Sequence, residues 1–279
     1  MPKFYLFLLV IVACFCSSTT TAQPYFDVAG ISGWQMPQGL NGDHVTETMG
    51  TVFVSAPIDI NKRTKLILSP FYQSRLLKKE ATGQTETLKS LSLPVTWMYQ
   101  PPDSTWTFLS LVAFRTNSTQ FRFNGEVFQI AGAVLVHYRV NPDLVLKGGL
   151  YISREFFGTF FIVLAGVEWK INDRLHLFGL INSKLRLEYQ FTKKFYGGFE
   201  FRAVNNSYRE DGYGGYYKIS DNHLAAFADI GIAKNLVWNI DAGHTMLRYI
   251  KSRNGADFPE INKDGFVFST GVSYRIRFY

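Results

Sequence analysis

The stretch from residue 183 to residue 204, SKLRLEYQFTKKFYGGFEFRAV, decides the fold class of this 279-residue chain. In its first half, Leu185 and Leu187 alternate with Arg186 and Glu188, and the alternation resumes after a short polar turn. A period of two predicts two β-strands, each with one apolar face and one charged face. Which of the two faces meets water decides the class of protein.

The composition of the whole chain favours an all-β fold. Aromatic residues make up 16% of it. Beyond the N-terminal segment no apolar run reaches the roughly eighteen residues that a membrane helix needs. No segment combines helical apolar spacing with a helix cap. The formal net charge of +7 is spread along the chain, which argues against a nucleic-acid partner.

The N-terminus has the three regions of a secretory signal peptide. Lys3 supplies the positive charge, residues 4–13 the apolar run, and Ala22 a small-residue cleavage site. The sequence therefore predicts a signal peptide over 1–22 and a single mature domain over 23–279. A lipoprotein signal with Cys14 as the lipidation site is the alternative. Both cysteines lie in this segment, so cleavage after Ala22 leaves no thiol for disulfides.

Turn signals divide the mature chain into fourteen predicted strands, with twelve as the nearest alternative. Short polar connections alternate with connections that are mostly longer, as in outer-membrane barrels, whose short turns face the periplasm. We therefore expect a transmembrane antiparallel β-barrel in the outer membrane of a Gram-negative bacterium. The expected strands are 25–33, 46–58, 64–75, 88–100, 105–115, 126–139, 144–153, 159–170, 174–181, 184–191, 195–204, 222–232, 235–249 and 265–279.

The faces of these strands predict that apolar side chains meet lipid and charged ones line a wet lumen. Aromatic residues such as Trp97, Trp169 and Trp238 gather at strand ends, as in the interfacial girdles of barrels. Two features fit less well. The strand 159–170 is apolar on both faces in its middle, and His244 falls on the lipid side unless a bulge resets the register.

A lumen cluster of five charged side chains is expected from the hairpin around residues 191–195. If these residues flank the turn, Arg186 lies opposite Glu200, with Glu188 diagonal to Glu200. Two interpretations stay open for this cluster: a network that stabilises the wall, or a constriction that selects solutes. The cluster comprises Lys184, Arg186, Glu188, Glu200 and Arg202.

Two further features are candidates for binding. Asp229 and Asp241 are expected to face the lumen from neighbouring strands, with Asn239 between them, either as hydrogen-bonded lumen polars or as a cation or substrate site. The segment 205–221, rich in Tyr and Gly, is expected to be an outer loop, which could bind a ligand or a surface glycan.

The sequence carries few signatures of an enzyme. A barrel lipid hydrolase or acyltransferase of the Ser-His-Asn type needs His and Ser two residues apart on one strand. Only His44 has a hydroxyl at that spacing, from Thr46. The chain has no nucleophile elbow, no phosphate-binding loop and no zinc-protease motif. We therefore predict no catalytic residue, no cofactor and no metal.

Four stretches carry a resemblance to a known family: LKSLSLPVTWMYQPPDSTWTFLS (88–110), KGGLYISREFFG (147–158), LAGVEWKINDRLHLFGL (164–180) and LRLEYQF (185–191). They resemble uncharacterised outer-membrane barrels of the Bacteroidota that form a domain of unknown function. The resemblance covers most of residues 45–279 and implies a barrel in the cell envelope, with no catalytic residues. Members often have a proline before the last stretch, where this chain has Ile181, Asn182 and Ser183.

The C-terminal strand resembles the sorting signal that the barrel-assembly machinery reads. Val272, Tyr274, Ile276 and Phe278 supply its alternating apolar residues, and the terminal aromatic Tyr279 follows Phe278 by one residue. The expected partners are therefore outer-membrane lipid, the assembly machinery and periplasmic chaperones. The function predicted from these features is a passive pore or uptake channel for small solutes. The alternative is a closed structural or surface-binding barrel that presents its outer loops.

Overall fold

The computed structural model describes residues 24–37, 45–79, 83–102, 105–121, 123–210, 214–253 and 260–278. The predicted signal peptide lies outside these ranges. Within them the chain forms β-segments, here labelled β1 to β16. They are β1 Tyr25–Met36, β2 Val45–Val54, β3 Ala56–Asn61, β4 Thr64–Leu68, β5 Phe71–Lys79, β6 Thr85–Tyr99, β7 Trp106–Ser118, β8 Phe128–Asn141, β9 Leu144–Glu155, β10 Gly158–Lys170, β11 Leu175–Leu180, β12 Lys184–Gln190, β13 Phe195–Arg209, β14 Tyr216–Ala233, β15 Leu236–Arg253 and β16 Phe266–Arg277.

Fourteen barrel strands result from these sixteen segments. The segments β2 and β3 form one strand interrupted at Ser55, and β4 and β5 form another interrupted at Ser69 and Pro70. Pro70 has no amide hydrogen for the ladder, which accounts for the second break. Neighbouring strands pair antiparallel, and β16 pairs with β1 to close the sheet. The predicted fourteen-strand antiparallel barrel is confirmed, and the twelve-strand alternative is wrong.

The described residues contain no helix that is long and apolar enough to cross a membrane.

The two ends of the barrel differ in their connections. The end that carries the tight turns, among them those at residues 62–63, 142–143 and 234–235, is here called the turn end. The first and last described residues lie there, since the Phe278 amide donates to the Pro24 carbonyl at 3.0 Å. The opposite end, called the loop end, carries connections such as 119–127 and 210–215.

Side chains alternate between the outside and the lumen as the sequence predicts. The exposed large apolar residues include Val134, Phe161 and Phe199, whereas buried charged residues point inward from most strands. An apolar exterior around a charged interior is the inverse of a soluble protein and is typical of a membrane barrel.

The Tyr-rich segment 205–221 is mostly strand, so the prediction of a long outer loop is wrong. β13 continues to Arg209 and β14 begins at Tyr216, leaving only residues 210–215 as a connection, of which 211–213 lie outside the described ranges. Tyr208 and Tyr217 are fully buried. Near the loop end both faces of β13 pack against protein, since the neighbouring Ser207 and Tyr208 are both fully buried.

β15 has a bulge, but it lies beyond His244 and does not reset the register at that residue. His244 stays on the outer face, where its ring packs edge-on against Phe266 at 5.1 Å. The register shifts between Met246 and Tyr249, and Leu247 has a positive φ of 56° and is 82% exposed. The bulge turns Arg248, which strict alternation would place outside, into the lumen.

Two adjacent glycines in β9 provide a test of how tightly the wall is paired. A Cβ on Gly149 would lie 2.1 Å from the Val134 carbonyl oxygen, whereas a Cβ on Gly148 meets nothing within 4 Å. We expect Gly149→Ala to lower the free energy of unfolding by about 1–3 kcal/mol through overpacking. Gly148→Ala should change it by less than about 0.5 kcal/mol. Urea unfolding in lipid vesicles measures both, and equal effects would contradict the close approach.

Candidate lumen site

The predicted cluster around Glu200 forms as the hairpin register requires. Arg186 lies opposite Glu200, and Lys184 lies opposite Arg202, as expected. The Glu200 carboxylate bonds to Arg202 and has the Lys184 ammonium at 3.1 Å and the Arg186 Nε at 3.8 Å. One buried carboxylate thus collects three cations, which leaves an excess of positive charge to be balanced by other strands.

Two further acids, Asp229 and Glu188, bind arginines beside this group. Arg186 donates to Asp229 Oδ2 at 2.8 Å, and Arg277 donates to Glu188 Oε1 at 2.8 Å. Glu188 therefore belongs with β16 rather than with Glu200. Arg275 bonds to both Asp229 and Asp27, at 2.6 Å from Nε to Asp27 Oδ1.

Tyr25 lies at the centre of this group, here called the turn-end cluster and comprising Tyr25, Asp27, Arg186, Glu188, Asp229, Arg275 and Arg277. The guanidinium carbon of Arg275 lies 3.7 Å from the Tyr25 ring centroid, with Arg277 at 5.0 Å and Arg186 at 5.7 Å. Arg186 also donates to the Tyr25 hydroxyl at 2.5 Å. Cation–π contacts of this kind strengthen when they are desolvated. The cluster thus joins side chains of β1, β12, β14 and β16 across the lumen near the turn end.

The two predicted lumen carboxylates have separate partners. Asp229 is fully buried and accepts from Asn239 Nδ2 at 2.7 Å as well as from two arginines. Asp241 accepts from the Ser269 hydroxyl. Since Asp229 is already neutralised by two guanidinium groups, the structure favours the hydrogen-bonded interpretation for it. A solute or cation role for the pair stays a prediction.

A second buried ion group lies nearer the loop end. Glu47 bonds to Arg248 and to Arg75, the latter at 2.5 Å, and all three side chains are almost completely buried. The Arg75 guanidinium stacks on Trp34 with 5.1 Å to the ring centroid. This triad is absent from the sequence prediction. Glu47 and Arg75 lie on adjacent strands, but Arg248 joins them only because of the bulge at Leu247.

A small cavity of about 20 Å³ lies in the lumen between the two ion groups. It is lined by Trp34, Glu200, Arg202, His223, Ala225, Asp241, Val267 and Ser269. A space of this size admits about one water molecule. His223, which lines this cavity, also contacts an acid: its Nε2 lies 2.9 Å from the buried Asp221 carboxylate. Side chains of β1, β13, β14, β15 and β16 thus fill most of the space at this level of the lumen.

An apolar cluster closes the loop end. It consists of Val45, Leu77, Leu88, Tyr208, Tyr217, Ile219, Ile250 and Ile261. Ile250 and Ile261 exchange two backbone hydrogen bonds of 2.7 and 2.8 Å, which bring the 260–265 segment over the barrel. The charged lumen is therefore covered on the side of the longer loops.

The structure also places residues of the predicted assembly signal and of the weak hydrolase candidate. Val272, Tyr274 and Ile276 of the predicted assembly signal alternate with the inward-facing arginines of β16, and Phe278 follows on the outer face, 41% exposed. Tyr279 lies outside the described residues, so its part in the signal is untested. Thr46 sits between the buried Val45 and Glu47 and so faces outward, and His44 lies outside the described residues.

Fold and lumen together define the class of the protein: a closed β-barrel of the outer-membrane type. An outer-membrane channel of Pseudomonas putida F1 is similar, with a TM-score of 0.51 at 8% identity over 93% of this chain and 99% of that one. The NanC porin gives 0.42 at 11% identity, over 89% and 100%. The translocator domain of the autotransporter NalP from Neisseria meningitidis gives 0.37 at 12%, over 99% and 95%. At such identities the likeness shows the fold alone.

Neither a family model nor a curated protein matches the chain. The resemblance to Bacteroidota barrels therefore stays a prediction.

Proposed function

We propose that the protein is an outer-membrane channel for small solutes whose lumen is closed at rest by its own charged side chains. The observation that carries the proposal is the column of ion pairs that runs from Glu188 at the turn end to Glu47 near the loop end. In this arrangement the turn end faces the periplasm and the loop end faces the exterior.

The chemistry of the filling supports a channel over a purely structural barrel. A buried ion pair adds little net stability, because the cost of removing both ions from water offsets their attraction. Apolar side chains would fill the lumen more stably. Charged side chains, in contrast, exchange their partners for water at small net cost and can swing aside, as a solute pathway requires.

Conductance of the purified protein in planar lipid bilayers tests the proposal. We expect a low basal conductance with brief openings that become more frequent at high salt, because salt screens the ion pairs that are partly exposed, such as Lys184 with Glu200. A correctly folded sample that passes no current at any voltage or salt concentration would remove the channel function.

A closed structural barrel is the second candidate function. It is favoured by the apolar cluster at the loop end, where Tyr208 and Ile219 are fully buried and exclude water. Such a barrel would act through its envelope position and its outer connections. It predicts no openings under any condition, so the same bilayer measurement separates the two.

The proposal includes the route by which the chain reaches the outer membrane. Export by the signal peptide, cleavage after Ala22 and insertion by the assembly machinery that reads the last strand would place the mature chain in the outer membrane. Mass spectrometry of the N-terminus of the membrane-inserted protein tests the cleavage site, and a lipid on Cys14 would contradict it.

A further inference from the structure

The barrel wall has a step above the short strands β11 and β12. β10 pairs with β11 only from Gly166 to Lys170, and β12 pairs with β13 only from Tyr196 to Arg202. The turn at 181–183 therefore lies within the wall rather than at its rim. Above it, none of the described strands lies between β10 and β13.

β13 does not fill this gap, because its upper part crosses the lumen. Ser207 shares the strand face of the outward-pointing Phe199, yet it is fully buried and its hydroxyl donates to Glu155 at 2.7 Å. The same hydroxyl accepts from Gln129 at 2.9 Å. The Thr119 amide donates to the Arg209 carbonyl at 3.0 Å. The loop-end part of β13 is thus fixed against the inner faces of β7, β8 and β9.

The withdrawal of β13 leaves an unpaired edge on β10. Within the described ranges, the hydrogen bonds on this edge are those from the Ile181 amide to the Ala165 carbonyl, 2.8 Å, and from Asn182 Nδ2 to the Val163 carbonyl, 2.6 Å. Backbone above Val163, at Thr159 and Phe161, has no partner on this side among the described residues.

The depth of the unpaired β10 edge within the membrane determines whether lipid or water surrounds it. Phe161 lies eight residues above Trp169 of the aromatic girdle, or roughly 20 Å along the barrel axis at ~3.3 Å per residue and a tilt of about 40°. That height is within the hydrocarbon belt, ~25 Å tall in such barrels. Unpaired backbone at this depth must either be buried in protein or line a water-filled opening. Thr159 and Phe161 are exposed, which favours the opening.

The lining of the gap is apolar on its inner side. Phe160, Ile162 and Leu164 alternate on the lumen face of β10, and Tyr151 of β9 packs against Phe160 with 6.4 Å between the ring centroids. This lining explains why the strand is apolar on both faces. Cations lie at the top of the gap, where Arg209 stacks on Phe156 at 4.4 Å and Lys218 on Phe157 at 4.6 Å.

We propose that this gap is a lateral opening in the barrel wall that takes a single-chain anionic amphiphile, of the fatty-acid type, from the outer leaflet. Its hydrocarbon chain lies along Phe160 and Ile162, which are partly exposed. Its anionic head reaches the positive charges of Arg209 and Lys218. The opening goes beyond the proposed function, since it needs no passage along the lumen axis.

Photolabelling that distinguishes inward-facing from outward-facing residues of β10 tests the opening. The protein in phospholipid vesicles is irradiated with a palmitic acid analogue that carries a mid-chain diazirine, and adducts are mapped by mass spectrometry. We expect adducts on the inward-facing Ile162 as well as on the outward-facing Val163. The fully paired part of β9 is the control, where Leu146 should be labelled and the inward-facing Val145 should not. Adducts confined to outward-facing residues would overturn the opening, whatever the conductance measurements give.

A charge variant tests the class of ligand. In Arg209→Gln with Lys218→Gln we expect labelling of Ile162 by the fatty acid to fall at least about fivefold, because two cations near the head group are lost. Labelling by the uncharged alcohol analogue should stay the same. Equal loss of both signals, or of neither, would overturn the anionic specificity.

Discussion

Replacing Arg186 and Arg275 together by Ala is expected to convert the closed lumen into an open, cation-selective pore. These two side chains fill the space around Tyr25, and their removal leaves the carboxylates of Asp27 and Asp229 without their guanidinium partners. Unpaired carboxylates lining a wet pore attract cations, so we expect conductance to rise at least about tenfold with cation selectivity. Planar bilayers measure the conductance, and the reversal potential in a salt gradient measures the selectivity.

A matched control removes the same charge outside the lumen. Arg154 and Arg174 are exposed, so Arg154→Ala with Arg174→Ala should leave both conductance and selectivity unchanged. Folding of each variant is checked by its slower or faster migration in unheated gels. A folded Arg186 and Arg275 variant that stays non-conducting would mean that these side chains do not close a channel, and the structural barrel would then be favoured.

Most of the strand map follows from the sequence because its signals are local. Alternation in Leu185 to Gln190 and the polar turn at 192–194 depend only on neighbouring residues, and the structure has strands where these patterns occur. The turn also fixes the register, so that the pairing of Arg186 with Glu200 could be predicted from one hairpin.

Other parts of the fold depend on distant contacts and carry no local signal. The bulge at Leu247 occurs without a glycine, and what it achieves is the pairing of Arg248 with Glu47, 201 residues away along the chain. The crossing of β13 depends on Glu155 and Gln129, which belong to other hairpins. The polar sequence around Asn205 is equally compatible with a loop, which is why the loop prediction failed there.

Only part of the turn-end cluster could be predicted from the sequence. Arg186 and Glu188 were found because they alternate within one strand, but Tyr25, Asp27 and Arg275 come from the two ends of the chain. Closure of a barrel pairs the first strand with the last. That rule, applied to Asp27 and Arg275, is the signal that could have placed them side by side, and the structure has them as register partners.

Glu47→Ala is expected to be among the most destabilising substitutions in the barrel. Glu47 neutralises both Arg75 and Arg248, and all three side chains are withdrawn from solvent. Removing one partner of a buried ion pair costs about 3–5 kcal/mol, because the other charge is left without compensation. Urea unfolding in lipid vesicles, followed by tryptophan fluorescence, should show this loss as a lower midpoint.

Two variants separate the effect of burial from that of charge. Asp59→Ala breaks an exposed pair with Lys65, 3.2 Å apart, and should cost less than about 1 kcal/mol. Adding Arg75→Met and Arg248→Met to Glu47→Ala removes the uncompensated charges and should restore much of the lost stability, since an apolar replacement of similar volume is well tolerated. If Glu47→Ala costs no more than Asp59→Ala, water reaches the triad and the loop half of the lumen is open rather than sealed.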